Sequence, residues 1–391
     1  MRRASGRSPS GDRWAERALC LLSHLVCCAG AWSAETAAPV PTLHVSDLFR
    51  PHDDPDDHWD LATHYALAHQ GRVDLRGVMI DFPKPERAHA PDVIAVAQMN
   101  QVAGLSVPAA VGSPKVPSPD AEGEARGDPD LAGVRVFLDW MRRSPAPVVV
   151  HVLGSCRDVA IALRAEPGLF ATRCRAIYLN AGSGTPDPEL ARRLEWNVKL
   201  DPASYATIFD APCPIYWLPC FEVVRERPAD LFRVAEYGSF YRFRQGDLLP
   251  SLSPRAQNFF AHMFSAGRFV ETGGVRPVGA DRPWLAYLLG PRDEPFLDAQ
   301  GRLDRNMWCT AGFLHAVGQT VTKDGEIVPL GGAHEPVSEF IPVRVTCSPD
   351  GVTQWEPGPS SPARFLFRVR DTGAYPSAMT AALEAMLRSL P

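Results

Sequence analysis

The sequence predicts an α/β fold with a Rossmann-like, mostly parallel sheet flanked by helices. Strand-like apolar runs alternate with segments of helical spacing between residues 42 and 220. The clearest strand is the β-branched run VVVHVL at 148–153, whose continuous apolar character is typical of a strand buried on both faces. Because strands that alternate with helices form parallel βαβ units, we expect the polar residues that follow the strands to meet at one edge of the sheet.

The elements follow one another in a regular order. Strands are predicted at 42–46, 73–80, 107–111, 148–153, 176–179 and 214–218. Helices are predicted from apolar positions with helical spacing at 58–69, 92–103, 132–143, 158–164 and 202–209, and later at 255–266, 307–317 and 377–390. The segment 113–129 is predicted as a surface loop, and 326–370 as a small C-terminal excursion of short strands.

Length and composition restrict the class of protein. The 391 residues are 45% hydrophobic and 22% charged, which suits a packed core. A net charge of -5 without a basic stripe gives no support for nucleic-acid binding. The six cysteines beyond residue 34 form no CxxC pair, which disfavours a zinc site. We interpret them as small buried hydrophobic residues, although an even number also permits disulfides in an oxidising compartment.

The first 34 residues have the layout of a secretory signal peptide. Five arginines precede the apolar run ALCLLSHLVCCAGA at 18–31, and the small residues Ser33 and Ala34 follow it. The run is shorter than the roughly 20 apolar residues of a membrane-spanning helix. We therefore expect export to the periplasm or the extracellular space, and one domain at 35–391 without a stable membrane span after processing. An uncleaved anchor and a mis-assigned start codon are the alternatives.

An acidic loop follows the first predicted strand. The segment DLFRPHDDPDDHWD at 47–60 places six aspartates within fourteen residues. Carboxylates at this density repel one another unless a positive charge compensates, and divalent cations such as Ca²⁺ bind these oxygen ligands. The loop lacks the ligand spacing of an EF-hand. We interpret it as a divalent metal site; a solvated turn with Asp56 as the helix cap is the alternative.

The order of motifs resembles the inosine-uridine nucleoside hydrolase superfamily. A first strand, an aspartate and then an Asp-Asp pair that leads into a helix correspond here to Asp47 and to Asp56 with Asp57. Three further stretches agree in order, namely VVVHVLGSCRDVAIALRAEP at 148–167, IYLNAGSG at 177–184 and EWNVKLDP at 195–202. The resemblance implies a Rossmann-like fold that holds one Ca²⁺ on an aspartate cluster.

The resemblance also implies a role for each matching residue. Asp47 and Asp57 are implied metal ligands, and Asp56 is the implied general base that takes a proton from a metal-bound water. Asp53 or Asp54 is an alternative first ligand, and a main-chain carbonyl near Cys156 or Arg157 is a further implied metal ligand. Implied contacts to a nucleoside or sugar substrate come from Glu195, Trp196, Asn197, Asn180 and Asp81.

The chain departs from the family in its first loop and near its end. Asp47 lies nine residues before Asp56, a longer separation than in the family. The family carries a metal-binding aspartate, often preceded by histidine, near the start of a late helix. The comparable region DRNMWCTAGFLHAVG at 304–318 has no His-Asp pair, so Asp304 or Asn306 is the candidate substitute.

These observations predict a Ca²⁺-dependent hydrolase of an N-ribosyl or related glycosyl bond in a small-molecule nucleoside or sugar. A non-catalytic sugar or nucleoside binder on the same fold is one alternative, and a hydrolase that acts on another carbohydrate is a second. His151 and His315 are interpreted as packed structural histidines, and Asp158 as a helix cap. The oligomeric state, a homo-oligomer included, is left open by the sequence.

Overall fold

The computed structural model describes residues 38–50, 55–82, 89–114, 128–266 and 284–391. Pro39–Pro391 is one compact unit, and of Met1–Ala38 only Ala38 is described. The predicted signal peptide and the candidate ligands Asp53 and Asp54 therefore lie outside the described residues. Within the described ranges, no helix is long and apolar enough to cross a membrane.

The strands build one large sheet and three small ones. They are β1 (Val40–Ser46), β2 (Phe49–Arg50), β3 (Val73–Ile80), β4 (Ala90–Pro91), β5 (Ala109–Val111), β6 (Val148–Val152), β7 (Cys174–Asn180), β8 (Ile215–Leu218), β9 (Tyr241–Arg244), β10 (Asp304–Met307), β11 (Gln319–Val321), β12 (Ile327–Pro329), β13 (Ser338–Cys347), β14 (Thr353–Pro357) and β15 (Arg364–Val369). The large sheet has nine strands in the order β14-β13-β15-β8-β7-β6-β1-β3-β5. All neighbours in it pair in parallel except β13, which is antiparallel to β14 and β15.

The strand order places a crevice beside β1. From β1 the chain builds outward through β3 and β5, and then returns to add β6, β7 and β8 on the other side. Val45 pairs with Val152, so β1 and β6 end at the same level. At such a reversal the connections leave the sheet in opposite directions, and ligands of α/β proteins bind in the resulting crevice.

Helices cover both faces of the sheet. They are Asp56–His69, Val93–Ala103, Ala132–Arg143, Arg157–Ala165, Pro167–Arg173, Trp196–Leu200, Pro202–Ile208, Gln245–Leu248, Pro254–Ala266, Trp284–Leu288, Glu294–Gly301, Thr310–Ala316 and Tyr375–Leu387. One apolar core includes side chains of Asp56–His69 and Tyr375–Leu387, and the other includes side chains of Ala132–Arg143 and Arg157–Ala165. The two cores are what a sheet with helices on both faces requires.

The predicted fold class is confirmed; the short helices Pro167–Arg173 and Trp196–Leu200 were not predicted, and further differences lie late in the chain. The helix predicted at 307–317 begins only at Thr310, because Asp304–Met307 is a strand that pairs with Tyr241–Arg244. The predicted excursion at 326–370 contributes β13, β14 and β15 to the large sheet itself. The six cysteines of the described residues are free, and five of them are buried, in agreement with their interpretation as small hydrophobic residues.

His151 and His315, interpreted as packed structural histidines, pack as predicted, whereas Asp158 does not cap a helix. His151 is buried in the core, and His315 packs with its Nδ1 2.8 Å from the hydroxyl of Tyr178. Asp158 is not the helix cap, since Cys156 precedes the first helical residue. Its Oδ1 instead accepts a hydrogen bond of 2.7 Å from the main-chain N–H of Ser113.

Candidate active site

A cavity of about 390 Å³ lies at the carboxyl ends of the central strands. Asp47 follows β1, Leu153 follows β6, and Asn180 ends β7, and all three line it. Its lining includes most of the residues that the sequence analysis predicted for the site, namely Asp47, Asp56, Asp57, Asn180, Glu195, Trp196 and Asn197. The strand ends therefore bring together side chains that are up to 150 residues apart in the sequence.

Three aspartates form one wall of this cavity. Asp47 leaves the end of β1, and Asp56 and Asp57 begin the helix Asp56–His69. Burial and the negative charges of Asp47 and Asp56 raise the pKa of Asp57 well above its usual value. The helix cap position belongs to Pro55, so the interpretation of Asp56 as an ordinary cap is wrong. The wall concentrates negative charge that a cation would stabilise.

Glu195 and Asn197 form a second wall, which is fixed by main-chain groups. The Glu195 carboxylate caps the helix Trp196–Leu200, accepting from the N–H of Asn197 at 2.9 Å, and it accepts from Gly182 at 3.0 Å. Burial raises the pKa of Glu195 to about 7, although these N–H donors act in the opposite direction. The N–H of Gly182 can approach because its φ is +84° and a Cβ there would lie 2.3 Å from the hydroxyl of Tyr205. Glu195 is therefore held rigidly at the cavity.

Asn180 and Trp196 complete the polar side of the cavity in different ways. Asn180 is buried, and its Oδ1 has no hydrogen-bond partner among the described residues. A buried amide oxygen without a partner is costly, so a ligand donor at this wall would satisfy it. Trp196 is 43% exposed and lies at the rim. Its ring offers a flat apolar surface to a bound molecule.

Two of the predicted site residues do not line the cavity. Asp81 is buried behind it, where its Oδ2 accepts a hydrogen bond of 2.5 Å from the N–H of Ser155. The carbonyl of Cys156 accepts from Ala160 within the helix, and its thiol is fully buried in the core. Leu153 lines the cavity instead, and its carbonyl accepts a hydrogen bond of 2.8 Å from the Asn197 amide.

The lining of the cavity also contains a residue that the sequence analysis missed. Cys309 occupies the cap position of the helix Thr310–Ala316 and lines the cavity. Asp304 and Asn306, the suggested substitutes for a late ligand, lie in β10 and are absent from the cavity lining of the described chain. The Cys309 thiol hydrogen-bonds Asp60, whose pKa burial raises to about 7. No pattern of carboxylates in the sequence includes Cys309. The sequence feature that pointed to it is its position at the start of the late helix, where the resemblance implies a metal ligand.

Aromatic side chains form the remaining apolar wall. Phe221 makes edge contacts with Trp308 and Phe232 at ring-centroid distances of 5.9 and 5.3 Å. Phe240 packs behind Trp308 at 5.8 Å. Phe221, Phe232 and Phe240 lie within twenty residues of one another, whereas Trp308 comes from a distant segment, so no single local pattern predicts this wall. Their rings suit an apolar, planar part of a ligand.

The donor atoms of the cavity fit a hard cation in part. In the described part of the chain, no three His, Cys, Asp or Glu side chains are arranged to hold a metal ion alone. Asp47 and Asp57 nevertheless supply carboxylate oxygens, and Leu153 supplies a nearby carbonyl. Ca²⁺ takes roughly six to eight oxygen ligands and accepts carbonyls and water among them. A cation at this wall would therefore need ligands beyond these side chains.

Comparison with known proteins establishes the fold. No protein-family model matches the sequence, and no curated protein matches it either. A plant nucleoside hydrolase, the PpNRh1 enzyme, aligns with a TM-score of 0.51 and 14% identity over 89% of this chain and 99% of that one. The effector protein XOO4466 aligns with a TM-score of 0.50 and 16% identity over 95% and 99% of the two chains. The chain thus has the fold of the nucleoside hydrolases, as the sequence motifs predicted, in a strongly divergent form.

Proposed function

We propose that the protein is a cation-dependent hydrolase that cleaves an N-ribosyl or related glycosyl bond in a small molecule. One observation carries this proposal: the aspartates that follow β1 share a single cavity with Glu195 and Asn197. Hydrolysis of such a bond develops positive charge on the sugar ring, and carboxylates stabilise that charge. The fold shared with a nucleoside hydrolase supports the same reaction class.

We propose Ca²⁺ as the cation, with Asp47 and Asp57 as its side-chain ligands. The crowding of carboxylates around the buried Asp57 supports this choice, because a divalent cation relieves their repulsion. The carbonyl of Leu153 and oxygens from water and substrate would complete the shell. When bound, the cation lowers the pKa of a water molecule and orients it.

The residues of the chain supply the remaining chemistry. Asp56 takes a proton from the attacking water, whose oxygen forms a bond to the anomeric carbon. The bond from that carbon to the leaving group breaks, and its electron pair departs with the leaving group, which takes up a proton from solvent. Glu195, Asn197 and the Asn180 amide oxygen orient the sugar hydroxyls. The aromatic wall packs against the leaving group.

A second candidate function, nucleoside or sugar binding without turnover, is favoured by Cys309. Its uncharged thiol stands at the start of the late helix, where the resemblance implies a carboxylate ligand. A cation site that lacks one hard donor binds Ca²⁺ more weakly. The cavity would then hold a sugar without efficient activation of water.

Sugar release from a panel of nucleosides tests the proposal. We expect reducing sugar to appear from at least one purine or pyrimidine nucleoside in the presence of Ca²⁺, and to disappear after chelation. Calorimetry with ribose on the same protein separates the two candidates. Ribose binding without release would support the binder, and neither binding nor release would reject both.

We also propose that the protein is exported, from the basic, apolar and small-residue order of its first 34 residues. Recovery of the protein from periplasm or medium with an N-terminus beginning at Glu35 is the expected result. A chain retained inside the cell with its N-terminus intact would overturn it.

A further inference from the structure

One positively charged side chain lines the cavity. Lys199 is the single lysine or arginine among the described residues that line it, whereas four acidic residues do so: Asp47, Asp56, Asp57 and Glu195. The Lys199 side chain is exposed at the rim. Across the described ranges, no carboxylate lies within ion-pair distance of its ammonium. The Lys199 ammonium is therefore available to a ligand.

The position of Lys199 relates it to the sugar side of the cavity. It lies on the helix Trp196–Leu200, whose cap is Glu195 and whose second residue is Asn197. Glu195 and Asn197 are buried, whereas Trp196 and Lys199 on the same short helix are exposed, so the helix presents both inner-wall and rim residues to the cavity. Lys199 follows Glu195 by about one helical turn, a rise of about 6 Å. An anion paired with Lys199 would consequently be attached to the sugar, since the leaving group is assigned to the aromatic wall.

We propose that the substrate carries a phosphate ester on its sugar and that Lys199 pairs with this phosphate. This inference rests on the proposed function, since it assigns the sugar to Glu195 and Asn197. A neutral nucleoside gains nothing from an ammonium at the rim, whereas a phosphorylated one gains a charge-assisted contact. The ammonium also offsets the repulsion between a phosphate and the four acidic residues deeper in the cavity. The substrate class is then a nucleoside monophosphate or a related phosphorylated glycoside.

Calorimetry with ribose and ribose 5-phosphate tests the inference on the full, Ca²⁺-loaded protein. We expect ribose 5-phosphate to bind about tenfold more tightly than ribose at low salt, and the ratio to shrink as salt screens the contact. Lys199→Gln should reduce the ratio to about one, and Lys199→Arg should keep most of it. Lys323→Gln is the matched control, because Lys323 pairs with Asp371 away from the cavity.

Each other outcome has a definite meaning. Equal binding of ribose and ribose 5-phosphate, or a ratio that persists in Lys199→Gln, overturns the phosphate inference and leaves the proposed function standing. Binding of inorganic phosphate as tightly as ribose 5-phosphate would reveal an anion site without sugar recognition, which also overturns it. Failure of both sugars to bind overturns the inference, and the proposed function falls with it only if no nucleoside of the panel releases sugar either.

Discussion

The side-chain amide of Asn197 donates a hydrogen bond of 2.8 Å to the main-chain carbonyl of Leu153. The same nitrogen lies 3.2 Å from the carbonyl of Asn180. One side chain thereby connects the residues at the ends of β6 and β7 and holds the second wall against the crevice beside β1. A buried residue in this position affects both stability and ligand binding.

Replacement of Asn197 by Ala should lower the free energy of unfolding by about 1–3 kcal/mol, because two buried carbonyls lose their donor. It should also weaken ribose binding, since Glu195 depends on the same helix start. Denaturant unfolding and calorimetry measure the two effects. Asn306→Ala, at a half-buried position of β10 outside the cavity lining, serves as the control. Wild-type stability in Asn197→Ala would contradict the proposed connection.

Replacement of Asp56 by Asn should reduce the rate of sugar release by on the order of 10²–10⁴-fold, the usual contribution of a general base. Ca²⁺ binding should persist, because Asp47 and Asp57 remain. Rates from the nucleoside panel and calorimetry with Ca²⁺ separate the two properties. Asp139→Asn, an exposed residue of the helix Ala132–Arg143, is the matched control. Full turnover without the Asp56 carboxylate would show that another group takes the proton.

Replacement of Cys309 by Asp should strengthen Ca²⁺ binding, by roughly tenfold, because it adds a hard oxygen donor to the cavity lining that also holds Asp47 and Asp57. Cys309→Ser provides a control of similar size without the charge. The measurement is the shift in Tm on addition of Ca²⁺, together with sugar release. If the Asp variant gains turnover that the natural chain lacks, the binder is the correct function for the natural chain. No change in either property would place Cys309 away from the cation.

The buried histidines should make the fold sensitive to acid. His44 and His64 share a hydrogen bond between their Nδ1 atoms at 3.0 Å, and His151 lies 5.0 Å from His64 between ring centroids. Burial lowers the pKa of His44 and of His151 to about 3. Because these pKa values are lower folded than unfolded, the unfolded chain binds more protons below about pH 6.5. The histidine contribution is complete above that pH and is lost as the pH falls towards 3.

The size of this effect follows from linkage. Each such histidine should remove about 1.4 kcal/mol per pH unit below pH 6. Replacement of His151 by Phe keeps a ring against Tyr178 and should make the loss of stability between pH 7 and 5 less steep. Buried carboxylates such as Glu195 shift stability in the opposite direction, but they are present in both proteins. The difference between the pH profiles of the natural protein and His151→Phe therefore isolates the contribution of His151. Identical pH profiles would show that His151 keeps its proton equilibrium on folding.

The central sheet could be predicted from the sequence because its strands are local apolar runs. β3 and the helix Ala132–Arg143 were predicted to the residue, and the Asp-Asp pair was placed after β1. The short strands β9 and β10 were missed, since each has four residues and they pair across some 60 positions. The resemblance implied a main-chain carbonyl near Cys156 or Arg157, whereas Leu153 lines the cavity. The aromatic wall depends on tertiary packing alone.

The late strands limit how much of the carboxyl-terminal segment can be removed without exposing the central sheet. β15 pairs in parallel with β8, so β13, β14 and β15 together cover a hydrogen-bonding edge of the central sheet. The Trp355 indole, carried by β14, donates a hydrogen bond of 3.1 Å to the carbonyl of Gly184, in the glycine-rich loop after β7. A fragment that stops near residue 330 would leave β8 as an open edge, prone to pair with other chains, and would loosen the loop next to Glu195. The carboxyl-terminal segment therefore supports both the central sheet and the cavity, and truncation there should yield aggregates instead of a smaller folded protein.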